Sequence, residues 1–397
     1  MPEDQNNNEW MQGFPPAKDK IVRFSDGTYY QWPQLRWTFS NIEQLVPTKP
    51  VWRGPGAASK LIEDLVELDE TPVITADGKK LSWINALQLS ACDAIGVLHQ
   101  GRLVYENYLC ETKRHTSHVV QSCAKSFAGI LAEMLFEQGE LREDTLISDY
   151  LPELTKTAWG NATLRQVMDM LIAMRFNENY ADPNSDVWRY LRAGGMLPPV
   201  PGEPVETLCD YLVNVAKEGE HGKAFAYREP NINVLTWVIQ RVTNRPLNIL
   251  LSGMIWQHIG AEHDARYMID PNGFCTTAAC TMRDFLKFGE LVRTGGKNVI
   301  SQKVRDSIFG GGDVEKFALF KHPTMKNWSY RSQWWIRHQP AGNCAVARGT
   351  HGQFLYIDPA NEIVIVRFGS QQEAAGYTHD NIIFAMFDAV TAQLSGN

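Results

Sequence analysis

Apolar side chains recur at helical spacing after a polar, turn-rich stretch at residues 111–118. The apolar positions lie three and four residues apart, on one face of a helix: Phe127, Ile130, Leu131, Met134 and Leu135. Gly139 follows them, and glycine is typical just after a helix end, so the spacing predicts a helix over residues 122–138. The free backbone N–H groups and the dipole at the start of such a helix favour negative charge.

Apolar runs predict strands near both ends of the chain. Residues 95–105 fit two strands joined by a tight turn at Gln100 and Gly101. Residues 345–357 and 363–368 are also strand-like, and an amphipathic helix follows them. The pattern predicts an α+β fold, an α/β sandwich. Its antiparallel sheet is built from both chain ends, is flanked by helices and carries an all-helical insertion domain.

Further helices are predicted between these strands, at residues 164–174, 205–217, 233–242 and 283–292. The pattern divides the chain into an N-terminal wrapping arm, a sheet domain in two parts and a mainly helical domain. Their expected boundaries are residues 1–90, residues 91–118 with 295–397, and residues 119–294. The seam between the sheet and the helical domain is a favoured place for a pocket.

Composition and charge narrow the class of protein. The 397 residues are 44% hydrophobic and 21% charged, and the net charge of −7 without a basic block argues against nucleic acid as a partner. The N-terminus lacks the features of a secretory signal, and no apolar run is long enough to span a bilayer. Seven scattered cysteines fit free thiols in a reducing compartment. We therefore expect a cytoplasmic protein that binds neither nucleic acid nor membrane.

The helix predicted at residues 122–138 opens with the motif Ser-Cys-Ala-Lys, which places Ser122 and Lys125 three residues apart. Residues at this spacing share a helix face, so the amine can reach the hydroxyl and activate it as a nucleophile without a histidine. The same motif would also arise from a serine that caps the helix N-terminus and a lysine exposed to solvent. About one Ser-x-x-Lys is expected by accident in a chain of this length, so the motif is weak by itself.

Two later segments add candidate chemistry. Tyr227 precedes the helix predicted at 233–242 and is a candidate to protonate a leaving group, since a nearby lysine would lower the pKa of its phenol. A half-buried loop tyrosine is the alternative. The glycines of the run from Gly349 to Gly352 would let the backbone approach a ligand, so that an N–H can point at an oxyanion. A bulge in an edge strand is the alternative interpretation.

The order of these motifs resembles that of the serine β-lactamase and penicillin-binding superfamily, in its class C, esterase-like division. Within it the chain is most similar to the 6-aminohexanoate-dimer hydrolases. Three segments carry this similarity: a Tyr loop leading into a Val-Leu-x-Trp helix, a Tyr-x-Asp-Pro-x-Ser segment and a His-Gly-Gln strand motif, at residues 227–237, 179–185 and 351–353. The resemblance covers roughly residues 90 to 395.

The resemblance implies roles for individual residues. Ser122 would be the nucleophile, Lys125 its base once burial makes the amine neutral, and Tyr227 the proton shuttle to the leaving group. The backbone amides of Ser122 and Thr350 would form the oxyanion hole. Tyr180 would lie on a loop over the site and hydrogen-bond the scissile amide. This chemistry needs no metal and no other cofactor.

Further substrate contacts are expected at Glu229, Asn231, His351 and Gly352. Glu229 departs from the family pattern, which has Asn or Ser at this position, and adds charge and bulk. Thr350, His351 and Gly352 stand where β-lactamases have Lys-Thr-Gly. The cation that would hold a β-lactam carboxylate is therefore missing from this motif, and we do not expect efficient antibiotic hydrolysis.

The leading interpretation is a serine hydrolase that cleaves linear amides or small carboxylic esters, with a homodimer as one allowed assembly. An acyltransferase on the same fold is the first alternative, and a binding protein that has kept the fold without catalysis is the second. A metal hydrolase was also considered, but its histidines form no recognised ligand motif, so no metal site is expected at His115, His118, His258 or His263.

Overall fold

Antiparallel strands build three sheets in the part of the chain that the computed structural model describes, residues 9–374 and 377–396. Most strands are four to eight residues long, as is usual in globular proteins. The strands are β1 Thr48–Val51, β2 Pro72–Ile74, β3 Lys80–Ser82, β4 Cys92–His99, β5 Arg102–Tyr108, β6 His118–Gln121, β7 Ala265–Ile269, β8 Cys275–Cys280, β9 Trp328–Arg331, β10 Trp334–Arg337, β11 Cys344–Gly349, β12 Gln353–Asp358 and β13 Ile363–Gly369.

The largest sheet has seven strands in the order β5-β4-β13-β12-β11-β10-β9. β4 lies against β13, with Val97 opposite Ile365, so early and late parts of the chain meet inside this sheet. β4 and β5 form the predicted hairpin, and Gln100 and Gly101 in its turn both have a positive φ. The prediction of an antiparallel sheet built from both chain ends is confirmed.

Helices lie on both faces of the seven-stranded sheet and in a block beside it. No helix of the described residues is both long and apolar enough to cross a membrane. The helices are α1 Gln34–Asn41, α2 Trp83–Leu89, α3 Ala124–Glu137, α4 Ile147–Tyr150, α5 Leu164–Met168, α6 Asp186–Ala193, α7 Leu208–Leu212, α8 Pro230–Thr243, α9 Leu247–Met254, α10 Met282–Thr294, α11 Gln302–Phe309, α12 Val314–Ala318 and α13 Tyr377–Ser395.

The seven-stranded sheet is buried on both faces. Side chains alternate along β13, so Val364 and Val366 belong to the core shared with α10 and the helical block. Ile363 and Ile365 belong to a second core, which α2 and α13 cover. Burial on both faces explains why these strands read as continuous apolar runs rather than as alternating ones.

A second sheet, in the order β1-β7-β8-β6, lies within the region that the sequence pattern assigns to helices. β7 and β8 come from that region, and β1 comes from the N-terminal segment, with Thr48 opposite Met268. The strands of this sheet have at most six residues and their partners are distant in sequence, so periodicity did not reveal them. The insertion is therefore mainly, and not wholly, helical.

The helices predicted at residues 164–174 and 205–217 are shorter in the structure, where α5 and α7 occupy those segments. Both begin at a capping box, in which the Thr163 and Thr207 side chains accept hydrogen bonds from backbone N–H groups three residues ahead. Met170 has a φ of +55°, so the chain cannot continue as a helix beyond α5. The sequence pattern thus predicts where these two helices begin, but not where they end.

Helix α3 is buried along most of its length. Gly139 has a φ of +77° just beyond it, as predicted for the residue that ends this helix. Gly129 lies where the turn between β9 and β10 packs on the helix, and a Cβ there would lie 1.9 Å from the carbonyl oxygen of Ser332. Only glycine allows this approach.

We predict that Gly129→Ala strongly destabilises the protein. The added methyl group meets backbone, which cannot move without shifting the β9–β10 turn, and overpacking of this kind typically costs about 1–3 kcal/mol or more. Urea unfolding should show this loss in the free energy of unfolding. Gly56→Ala is the matched control, because its Cβ would meet nothing within 4 Å, and it should change the free energy by less than about 0.5 kcal/mol. Equal stability of the two variants would contradict the packing described.

Candidate active site

Ser122 lies at the junction between β6 and α3. Gln121, the last residue of β6, has a φ of +48°, and its carbonyl accepts a hydrogen bond from Thr277 Oγ1 at 2.9 Å. This left-handed residue turns the chain from strand into helix within two residues. Ser122 is consequently partly exposed, and Lys125 follows in the first turn of α3, as the motif spacing predicts.

Three polar side chains form a closed triangle of hydrogen bonds at this junction. Lys125 Nζ donates to Ser122 Oγ at 2.8 Å and to Glu229 Oε2 at 2.7 Å. Ser122 Oγ donates to the other carboxylate oxygen, Glu229 Oε1, at 3.0 Å. The structure therefore brings Ser122 and Lys125 together as predicted and adds Glu229, whose direction the sequence left open.

Tyr227 lies beside Ser122 at the wall of the same cavity. Its ring stacks on Trp335 with 5.2 Å between centroids, and Lys125 Nζ lies 5.4 Å from the centroid of the ring. The expectation that the lysine lowers the pKa of Tyr227 is wrong, because burial, and after it the charge of Glu229, raise this pKa well above 10.0. Tyr227 is thus a neutral phenol that can donate a proton.

A second carboxyl group lies beside Glu229. The backbone N–H of Glu229, directly before α8, donates to Glu178 Oε2 at 3.2 Å. Burial, and after it the charge of Glu229, raise the pKa of Glu178 to about 8. Glu178 was not identified in the sequence, although it stands two residues before the predicted loop tyrosine, Tyr180.

Thr350 reaches the site because β11 passes very close to β6. A Cβ on Gly349 would lie 2.7 Å from the carbonyl oxygen of Val120, so the missing side chain permits this contact. Thr350 follows directly and lines the same cavity as Ser122. The two elements that carry the predicted oxyanion-hole amides are therefore adjacent.

A cavity of about 740 Å³ opens onto Ser122. Aromatic side chains form much of its wall, among them Trp188, Phe320 and Trp335. Of the residues predicted from the sequence to bind substrate or assist catalysis, five besides the nucleophile line it: Tyr180, Tyr227, Glu229, Thr350 and His351. Its size and lining suit a small organic substrate.

Two predicted substrate contacts instead have structural roles. Asn231 is fully buried, and its Oδ1 accepts a hydrogen bond from Trp159 Nε1 at 2.9 Å. Gly352 has a φ of +92°, and its carbonyl accepts a hydrogen bond from the buried side chain of Arg367. Neither residue lines the cavity described above, because these bonds hold both in the protein core. A contact of Asn231 or Gly352 with substrate therefore stays a prediction.

His351 lines the cavity but is only 4% exposed. Its ring packs edge-on against Tyr30 and Phe39, and its Nδ1–H donates to the carbonyl oxygen of Gln371 at 2.7 Å. Burial lowers the pKa of His351 to about 4, so the ring is neutral near pH 7. It therefore does not replace the lysine cation of β-lactamases.

Tyr30 is a site residue that the sequence analysis missed. It comes from the N-terminal segment, lines the cavity and lies near the side chains of Thr350 and Gln121. Burial raises its pKa to about 12. The only sequence signal was the aromatic richness of that segment, which does not distinguish a site residue from a core residue.

The histidines considered as metal ligands are not grouped. His118 is buried, with Nε2 at 3.3 Å from Asp93 Oδ2 and Nδ1 at 2.9 Å from the carbonyl oxygen of Val119. Among the residues that the structure describes, no cluster of three or more His, Cys, Asp or Glu side chains could hold a metal ion.

The geometry defines a class of protein. The site combines a serine and a lysine one helical turn apart, a neutral tyrosine beside them and a glycine-flanked strand opposite. This combination is typical of a serine hydrolase of the β-lactamase and penicillin-binding fold. The chain belongs to the beta-lactamase family, whose family model matches residues 88–385.

Individual relatives agree with this assignment. The 6-aminohexanoate-dimer hydrolase of Paenarthrobacter ureafaciens is 29% identical over 369 residues, 90% of this chain and 92% of that protein. A Bacillus anthracis protein assigned as a 6-aminohexanoate-dimer hydrolase superposes with a TM-score of 0.85 and 26% identity, covering 96% of this chain and 99% of its own. EstCE1, a hydrolase with promiscuous acyltransferase activity, superposes at 0.59 with 15% identity over 77% of this chain and 98% of its own, and so shares the fold. The resemblance inferred from the sequence is confirmed.

The raised pKa of Glu178 predicts how stability depends on pH. Between an ordinary value of 4.5 and about 8, Glu178 holds its proton in the folded chain but loses it on unfolding. The free energy of unfolding therefore falls as the pH rises through this window. Glu178→Gln removes the titration, so its stability relative to the wild type should increase steadily across the window in thermal unfolding measured at each pH.

Glu140→Gln removes an exposed carboxylate and is the control for this experiment. Its stability curve should run parallel to that of the wild type. A parallel curve for Glu178→Gln as well would show that Glu178 titrates normally in the folded protein.

Proposed function

We propose that the protein hydrolyses linear amides and small carboxylic esters through an acyl-enzyme on Ser122. The observation that carries the proposal is the 2.8 Å hydrogen bond from Lys125 Nζ to Ser122 Oγ at the wall of the cavity. A linear amide is the favoured substrate because two relatives that cover at least 90% of this chain are named as 6-aminohexanoate-dimer hydrolases.

In acylation, Ser122 Oγ attacks the carbonyl carbon while its proton passes to the polar groups beside it. The backbone N–H groups of Ser122 and Thr350 hold the oxyanion of the tetrahedral intermediate. Tyr180, at the cavity wall, donates a hydrogen bond to the scissile amide. Expulsion of the amine or alcohol leaves the acyl-enzyme, and water then releases the carboxylic acid.

Tyr227 supplies the proton to the leaving group. Its phenol lies beside Ser122 at the cavity wall, and its raised pKa keeps the phenol protonated. An amide nitrogen departs only after it gains a proton, so a protonated donor at this place is what amide cleavage requires.

β-Lactams are not the expected substrates. Arg348 is a cation at the cavity wall close to the glycine-flanked segment, but it forms an ion pair with Asp380 at 2.9 Å. This side chain is therefore already neutralised and does not offer a β-lactam carboxylate the anchor that β-lactamases provide.

The nucleophile is tested by labelling. Incubation with a fluorophosphonate should add one phosphonyl group to the intact mass, and peptide mapping should locate it on Ser122. Ser122→Ala should not be labelled and should lose at least about a thousandfold in the hydrolysis of p-nitrophenyl esters and of a linear amide, with unchanged thermal stability. Retained activity in a folded Ser122→Ala protein would exclude Ser122 as the nucleophile.

Addition of an alcohol acceptor to the same assay separates hydrolysis from acyl transfer. Absence of both turnover and labelling would favour a binding protein.

Tyr227→Phe should reduce amide hydrolysis more than ester hydrolysis. A p-nitrophenolate departs without protonation, whereas an amide nitrogen needs the acid, and general acid catalysis is worth about a hundred- to ten-thousandfold. The values of kcat/KM for a matched amide and nitrophenyl ester measure the difference. Tyr150→Phe, in α4 and outside the cavity, is the control and should leave both values unchanged. Equal losses on both substrates would instead place Tyr227 in the activation of Ser122.

A further inference from the structure

Glu229 contacts the nucleophile and the lysine with different carboxylate oxygens. Oε1 accepts the hydrogen bond of Ser122 Oγ at 3.0 Å, and Oε2 accepts that of Lys125 Nζ at 2.7 Å. The family pattern has an uncharged Asn or Ser at this position, so this chain places a carboxylate where the family has a neutral side chain. A carboxylate that accepts the hydrogen bond of a nucleophilic hydroxyl is a candidate base.

We propose that Glu229 is the proton acceptor when Ser122 attacks, and that Lys125 acts as an ammonium group between them. The proposal rests on the proposed acyl-enzyme on Ser122 and deepens it, because it assigns the base of that reaction to Glu229.

The ion pair is the reason that Lys125 does not serve as a neutral base. The side chains of Lys125 and Glu229 are 6% and 12% exposed, so each is the main compensation for burying the other's charge. A neutral amine would leave the Glu229 carboxylate buried without a counter-charge. With the ammonium in place, the free acceptor beside Ser122 is the carboxylate, while the amine holds the Ser122 oxygen through a hydrogen bond that strengthens as negative charge develops.

The protons balance through the cycle. In acylation the Ser122 O–H bond breaks, Oγ bonds to the carbonyl carbon, and the proton moves to Glu229. The C–N bond then breaks as Tyr227 gives its proton to the leaving nitrogen, and Glu229 restores the proton of Tyr227 through the ammonium of Lys125. In deacylation a water molecule bonds to the acyl carbon and its proton passes to Glu229, which returns it to Ser122 Oγ as the C–O bond breaks. Each turnover consumes one water molecule and no other reactant.

Groups from several elements face Glu229. Lys125 comes from α3, and Glu178 and Arg228 lie on neighbouring loops, Glu178 accepting the backbone N–H of Glu229. Five tyrosines from separate segments also lie near this carboxylate, and burial together with its negative charge raises the pKa of each above the usual range. They are Tyr30, Tyr180, Tyr190, Tyr227 and Tyr330. These phenols stay neutral between pH 6 and 9, so they do not shape the activity in this range, whereas Glu178, with a pKa raised to about 8, titrates within it.

The primary test is the pH profile of Glu229→Gln, which keeps the size of the side chain and removes its charge. We expect kcat/KM at pH 7 to fall by about a hundred- to ten-thousandfold for both esters and amides, because proton removal is common to both. The wild type should reach a plateau near neutral pH. The variant lacks this carboxylate, so its residual kcat/KM should lose the neutral plateau and depend more steeply on pH than that of the wild type.

Rescue by a small carboxylate separates a base from a merely structural residue. Glu229→Ala leaves a space where the carboxylate was, and added formate should restore part of the lost kcat in proportion to its concentration, whereas formamide should not. Glu229→Asp, which keeps the carboxylate on a shorter side chain, should retain the neutral plateau at a reduced kcat.

The matched control is Glu262→Gln. Glu262 also pairs with a buried lysine, Lys287, at 3.2 Å, but it lies outside the cavity. This variant should lose stability while its pH profile and kcat stay those of the wild type.

Two results would overturn the assignment of Glu229. One is a Glu229→Gln enzyme within threefold of the wild type with the same pH profile. The other is a loss of activity that tracks loss of stability, without a changed profile and without formate rescue. Labelling of Ser122 distinguishes this failure from failure of the proposed function: a labelled Ser122 and an inactive Ser122→Ala protein leave the acyl-enzyme standing when only Glu229 is refuted.

Discussion

The buried charge of Lys125 is the constraint around which the site is organised. The residue is 5% exposed, and an ammonium group that is removed from water needs both a counter-charge and hydrogen-bond acceptors. Glu229 supplies the charge from the start of α8, and Ser122 supplies the remaining acceptor. The pair therefore fixes α3 relative to α8, so the contact that positions Lys125 beside Ser122 also sets the packing of two helices of the helical block.

Contacts between residues close in sequence were the predictable part of this molecule. The hairpin at Gln100 and the helix that begins beside Ser122 follow from spacing and turn chemistry within about fifteen residues. The motif order then located Tyr227 and Thr350, because it carried information from related chains. The seven-stranded sheet followed from the position of its strands at both ends, since strands must find partners somewhere in the fold.

What escaped prediction depends on contacts between distant segments. Tyr30 reaches the site from the N-terminal segment, and the small sheet pairs β1 with β7 across more than two hundred residues. The pKa of Tyr227 was predicted in the wrong direction because burial and the carboxylate of Glu229 outweigh the nearby lysine, and neither can be read from spacing. Asn231 belongs to the tyrosine-loop motif, yet its side-chain amide forms a hydrogen bond with Trp159 in the protein core.

The pairing of β4 with β13 also determines when the enzyme becomes competent during its synthesis. A ribosome releases Ser122 and Lys125 long before Thr350, and the sheet that presents Thr350 cannot close until β13 has emerged and inserted beside β4. A nascent or prematurely terminated chain thus contains Ser122 and Lys125 without Thr350 at the same cavity. The site therefore assembles only after the C-terminal strands have been synthesised, however early Ser122 and Lys125 emerge.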